Sequence, residues 1–255
     1  MLFTANPNLP DRPVSLAVVD SRISDVSAYE LESLGIKILR VPAHPFLYDA
    51  VCGHPDMLLH HIGADIIVHA PGTDKGLLDA LCSYGFTVMQ GEKSLTGTYP
   101  GDIAYNVARV GRYYFHNLRH TDPVIVQQLH SQGIEPVHIE QGYAKCSILP
   151  VDEGSIITTD AGIAKVAKSK GLDVLLMECG DSIRLPGLNA GFIGGSCAMI
   201  SNSVCALNGA VQRLADKDRF ISFLTKKQID IKELSNDDVT DIGSILQLKV
   251  YPCGN

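Results

Sequence analysis

Basic charge is in short supply: 21 Lys and Arg face 28 Asp and Glu, for a formal net charge of −7. A protein that grips a phosphate backbone needs a basic face, so nucleic acid is not expected as a partner. No stretch reaches the roughly 18 uninterrupted apolar residues of a membrane span, so no membrane role is expected. The opening MLFTANPNLPDRPV puts Asp and Pro where a secretory signal needs a basic flank and then an apolar run. The seven cysteines, at positions 52, 82, 146, 179, 197, 205 and 253, are odd in number and include no C-x-x-C pair. That disfavours an exported disulfide framework and points to a reducing, cytoplasmic setting. H-E-x-x-H, zinc-finger spacing, G-x-G-x-x-G and G-x-x-x-x-G-K-S/T are all missing, so neither a nucleotide cofactor nor a metal is implied. Tryptophan is absent and aromatics reach only 6%, yet 45% of the 255 residues are hydrophobic and 19% charged. This excludes a disordered tail, a collagen-like polymer and a miniature scaffold, and leaves one large domain or two small ones.

What is present is a repeated grammar. SLAVVD (15–20) reads as a strand, SDVSAYELESLG (24–35) as a helix capped by Ser24 or Asp25, and IKILRVP (36–42) as a strand stopped by proline. The next rounds add a strand at the front. MLLHHIG and ADIIVHAP precede the helix DKGLLDALCSYG and the strand FTVMQGE; DIAYNVARVG and RYYFHN precede DPVIVQQLHSQG and EPVHIEQ. CSILPVDEG and SIITTD precede AGIAKVAKSKG and LDVLLMEC; SCAMISN and SVCALNG precede ADKDRFISFLTKKQ and IDIKELS. Four helices end in SLG, SYG, SQG or SKG, where glycine supplies the left-handed state that turns the chain into the next strand. The units span about 40 to 50 residues, a period typical of repeat architectures. The first unit lacks a leading strand and SILQLKV (244–250) is an orphan. Lending that strand to the first unit closes a ring and removes an edge. The expected layout is therefore a single α/β domain over 1–255, with units at 15–50, 54–92, 101–141, 143–180 and 191–235 and a closing strand at 244–250.

Five strand–strand–helix–strand units, with GHPDM (53–57), GYAKCS (142–147) and GFIGGS (191–196), resemble the pentein superfamily of guanidine-modifying enzymes. The likeness is to an uncharacterised bacterial branch of it. It implies a five-module α/β-propeller with pseudo-fivefold symmetry. It also implies a central pocket holding carboxylates for a guanidinium, a histidine acid/base and a cysteine nucleophile near the C-terminus. Carried over by position, Asp56 resembles the guanidinium-holding acid with His54 beside it, and Asp102 resembles a second orienting acid. Both acids can equally cap turns. Where the family places its histidine stand Tyr143, Lys145 and Cys146. Lys145 acts as a base only if burial lowers its pKa, and otherwise as a point charge for an anion. Near the expected nucleophile stands Gln247, which cannot form a covalent thiouronium, while Cys253 lies further on in YPCGN.

Cys197 and Cys146 sit better, each leading into a strand, and either could pair with His54 as a relocated nucleophile. Either could equally be a small buried hydrophobe. Ser196 belongs with Gly194 and Gly195 in a tight approach to the channel. Cys52, His54, Asp56, His60 and His61 fall within ten residues, but His60 and His61 alternate across a strand, so a metal would need His54 and Asp56 completed by another unit. Two functions follow. The first is a small-molecule binding or structural protein that has lost the standard His/Cys pair. The alternative is a hydrolase or transferase on a guanidino or amidino compound, in which Cys197 or Cys146 attacks while Asp56 and Asp102 hold the substrate. The expected ligand is a small cationic or amino-acid-like molecule; a homodimer is compatible with the sequence but marked by no patch.

Overall fold

The computed structural model describes residues 1–178 and 180–252. Four sheets share one pattern, in which a strand pairs antiparallel with the next and that one pairs parallel with a third reached through a helix. They are Leu59–Gly63, Ile66–His69 and Thr87–Gln90; Ala108–Val110, Tyr113–His116 and Glu135–His138; Ile148–Asp152, Ser155–Thr158 and Asp173–Leu176; and Cys197–Met199, Val204–Leu207 and Asp230–Glu233. A fifth is assembled from both ends of the chain. Leu246–Val250 runs antiparallel to Val14–Asp20, which runs parallel to Lys37–Val41. The C-terminal strand thus supplies the first unit's missing partner, and Leu2–Phe3 pairs with its other edge. Ile183–Arg184 and Val239–Thr240 add a small parallel pair. The five sheets are separate; among the described residues no single closed sheet runs around the molecule.

The helices form where the caps permit. Ser24, Asp74, Asp122 and Asp160 accept from the backbone N–H of Ser27, Leu77, Val124 and Ile163, opening Asp25–Ser33, Lys75–Ser83, Pro123–Ser131 and Ala161–Ser169. Each is followed by a glycine, Gly35, Gly85, Gly133 or Gly171, at φ between 71° and 87°. Each helix buries a narrow stripe, such as Ile125 with Leu129, worth about 1.5–3 kcal/mol per side chain. The strands Leu59–Gly63 and Leu246–Val250 are buried along their whole length.

One local expectation needs correcting. The residues leading into three of the first strands form single helical turns: Pro55–Leu58, Ala144–Ser147 and Ile193–Ser196. Pro55 occupies the start of its turn, where its missing N–H costs nothing. The strands therefore begin later, at Leu59, Ile148 and Cys197, and the C-terminal strand begins at Leu246. No helix among the described residues is long and apolar enough to cross a membrane.

Candidate active site

The three helical turns converge with residues 241–244. Glycine makes the convergence feasible: a Cβ on Gly194 would lie 2.3 Å from the Ile148 carbonyl oxygen, and one on Gly195 would lie 2.0 Å from Asp241 Oδ1. GFIGGS therefore does serve a close approach.

At the centre, Cys146 Sγ donates to Asp56 Oδ2 at 3.1 Å. Asn106 ties the two together. Its amide nitrogen donates to the Asp56 carbonyl at 3.2 Å and to Cys146 Sγ at 3.1 Å, and its oxygen accepts from the backbone N–H of Lys145 at 2.8 Å and of Cys146 at 3.3 Å. His54 joins them: ligand atoms of His54, Asp56 and Cys146 lie within 4.8 Å of one another. The imidazole sits between two acids, Nδ1 3.9 Å from Asp241 Oδ1 and Nε2 3.9 Å from Asp20 Oδ2, too far for hydrogen bonds. Asp241 is held by the backbone N–H groups of Phe192 and Gly243, each at 2.9 Å. Asp20 is engaged by Arg22.

A cavity of about 300 Å³ opens on this cluster, with Tyr48, His54, Tyr143, Cys146, Phe192 and Asp241 among its walls and Val51, Leu185 and Leu188 making it apolar. Aromatic rings continue outward, Phe192 6.1 Å from Tyr143 and the exposed Tyr99 5.8 Å from it. A second cavity of about 200 Å³ touches the other side of His54 and Asp241 and reaches Asp20 and Arg22.

Burial dominates the electrostatics. It raises the carboxyls of Asp56 and Asp241, lowers His54 and Lys145, and pushes the Cys146 thiol well up, with Asp56 and Asp241 adding to the last effect. Burial thus favours the protonated thiol of Cys146 and the neutral imidazole of His54. Three buried side-chain atoms of the sequence-predicted acids and His54 have no hydrogen-bond partner: His54 Nδ1, Asp56 Oδ1 and Asp102 Oδ1.

The structure brings His54, Asp56 and Cys146 together, with Tyr143 at the same cavity. Asp56 stands behind the Cys146 thiol instead of on the cavity wall, and Asp102 stands behind Tyr143, whose hydroxyl donates to it at 2.6 Å. Lys145 is buried elsewhere, its Nζ donating to the Gly194 carbonyl at 3.0 Å and to Ser244 Oγ at 2.9 Å. Ser196 donates to the Ile193 carbonyl, and Gln247 to the Met199 carbonyl at 2.7 Å. Cys197 is fully buried in an apolar cluster beside Cys205, outside the His54 group. Neither Lys145, Ser196, Gln247 nor Cys197 lines the cavity at Cys146. Cys253 lies outside the described residues. Sequence reasoning missed Asp241 and Asn106. Asp241 belongs to Asp-Ile-Gly, an acid two residues before a turn glycine, and Asn106 follows Asp102 by four residues.

A model of a family of unknown function (DUF6873) matches residues 18–246. No curated protein matches the chain in sequence. In structure the chain is similar to an amidinotransferase of the saxitoxin biosynthetic pathway from Microseira wollei, with TM-score 0.62, 13% identity and 98% of both chains covered. It is also similar to the inosamine-phosphate amidinotransferase of Streptomyces griseus, at 0.61 and 11%, covering 100% of this chain and 98% of that one. C. jejuni agmatine deiminase follows at 0.57 and 10%, with 99% and 97% covered. At these identities the likeness establishes the fold, which is that of the pentein superfamily.

Proposed function

The chain belongs to the family of unknown function DUF6873, and from that family's pentein fold we propose an enzyme that acts on a small guanidino or amidino compound through Cys146, with His54 and Asp56. One observation carries the reading: a buried thiol meets an imidazole from another unit at the wall of a cavity, with the Asp56 carboxylate behind the thiol and His54 Nδ1 unpartnered. Unpaired buried acceptors cost about 1–3 kcal/mol each unless a ligand's N–H groups meet them. A planar cation supplies such donors, and the acid Asp241 and the aromatic walls both favour positive charge. The fold neighbours include two amidinotransferases and an agmatine deiminase by name.

The chemistry follows from the contacts. A cation in the cavity favours the thiolate, and Cys146 releases its proton to Asp56, which already accepts it. Sulfur bonds to the planar carbon. The released proton passes through His54 to the departing nitrogen, the C–N bond breaks and an amine leaves. The amidino carbon stays on sulfur until water or a second amine takes it, and the incoming group's proton returns to Cys146. Tyr143, braced by Asp102, and Asp241 orient the cation. On this reading the five sheets ring a central channel in one domain, a layout supported by the pairing of the C-terminal strand with Val14–Asp20.

A second reading rests on the raised thiol: a binding protein in which Cys146 only donates a hydrogen bond to Asp56. Screening guanidino and amidino compounds for amine release, with Cys146→Ala as control, separates the two. Turnover lost in the variant supports the enzyme; saturable binding without turnover, retained in the variant, supports the binding protein.

A further inference from the structure

We propose that His54, Asp56 and Cys146 form a binding site for a divalent ion of the zinc class. The site uses the same side chains as the proposed chemistry, but the binding claim stands without it. Sulfur, imidazole nitrogen and carboxylate oxygen are the donor set that a borderline-soft ion takes. Bond lengths of about 2.0–2.3 Å place donors around a tetrahedral ion roughly 3.5 Å apart. Here Sγ and Asp56 Oδ2 are 3.1 Å apart and all three donors fall within 4.8 Å. Small side-chain rotations therefore complete the site.

Three further facts favour an ion. All three side chains are almost wholly buried, with His54 1% and Cys146 2% exposed. Asp56 Oδ1 and His54 Nδ1 have no partner, so the polar capacity of the cluster is unspent. The charge is also suitable: Asp241 and Asp20 flank His54, Arg22 is paired with Asp20, and Lys145 has its Nζ committed to Gly194 and Ser244. His54 and Cys146 both line the 300 Å³ cavity, so the ion's remaining position faces an open space.

Binding is a simple exchange. The Sγ–metal bond forms as the thiol proton leaves to solvent, and the hydrogen bond from Cys146 to Asp56 is replaced by a shared ion. If Cys146 is also the nucleophile, the ion blocks it, and zinc becomes an inhibitor of the proposed activity.

The test uses the full chain, stripped with a chelator and titrated with Co²⁺ and then Zn²⁺. The expected result is one Co²⁺ per chain at micromolar concentration, with a thiolate-to-cobalt band in the near ultraviolet that Zn²⁺ erases. Cys146→Ser removes the band and weakens binding at least 100-fold. Cys82→Ser, an exposed cysteine away from the cluster, leaves both unchanged. His54→Gln weakens binding while keeping the thiol, which guards against loss of folding in the Cys146 variant. Absence of a 1:1 complex in the wild-type chain, or a band that survives in Cys146→Ser, overturns the site. Metal binding without turnover of any guanidino compound leaves the site standing and removes the enzyme reading; turnover without metal binding does the reverse.

Discussion

Asn106 is the joint of the candidate site, and removing its amide is the sharpest structural perturbation. In Asn106→Ala, the backbone N–H of Cys146 loses its acceptor and the Asp56 carbonyl its donor, both in a buried setting, while the Lys145 N–H keeps the Asn106 main-chain carbonyl at 3.3 Å. Buried polar groups left without partners cost about 1–3 kcal/mol each, so two at the low end give roughly 2 kcal/mol. For a chain of this size each kcal/mol shifts the midpoint by about 2–4 °C, so the variant should melt about 4–8 °C lower. The same loss frees the helical turn Ala144–Ser147 from Pro55–Leu58, so Cys146 should be alkylated faster than in the wild type. Calorimetry and a timed alkylation read both effects. A midpoint within 2 °C of the wild type, with unchanged alkylation, would refute the claim that Asn106 joins the two turns.

Acid stability should depend on buried histidines that do not line the cavity at Cys146. Burial drives His60 down to about 3 and His116 to about 4. The folded chain therefore keeps them neutral where the unfolded chain protonates near 6.5, and stability falls as pH drops through that window. From pH 6.5 to 5, His60 alone accounts for about 2 kcal/mol, and urea melts of His60→Leu should show a shallower pH slope by that amount. Deleting residues 244–255 removes the buried Ile245, Leu246, Leu248 and Val250, about 6–12 kcal/mol of burial, comparable with a whole domain's stability; such a chain should lack a cooperative transition by circular dichroism. In Gly243→Ala a Cβ would fall 2.3 Å from His54 Cβ at a φ of +66°. Strain of about 2 kcal/mol or more and a displaced imidazole should follow, seen as a lower melting point and weaker Co²⁺ binding.

Local chemistry made much of the fold legible. A cap such as Ser24, glycines such as Gly35 and Gly85, and the alternation of strands with nine-residue helices all act over a few residues, and each appears where the chain pattern puts it. The orphan strand could be assigned because an unpaired edge is unfavourable, and its pairing with Val14–Asp20 follows that logic. The single turns at Pro55–Leu58 and Ala144–Ser147 were less visible, since four residues are too few to show a helical period. At the site, HPD and AKC stood out as chemistry-bearing triplets, and Cys146 does meet His54. What could not be read was which side of each turn faces the cavity. Asp56 turns behind the thiol, Lys145 turns toward Gly194, and Asp241 takes the cavity wall. Those directions come from close packing between turns far apart in sequence, through contacts such as those at Gly194 and Gly195.

The central claim is that Cys146 is the group a planar cation meets. Its most direct measurement is peptide mass spectrometry after treatment with an amidine bearing an α-chloro leaving group, at neutral pH, beside an uncharged chloroacetamide of the same size. The account predicts a single adduct on Cys146, formed much faster with the amidine than with the amide because the cation is drawn to Asp241 and favours the thiolate, and slowed by guanidino compounds. Adducts confined to the exposed Cys82, or equal rates for charged and uncharged reagents, would contradict it.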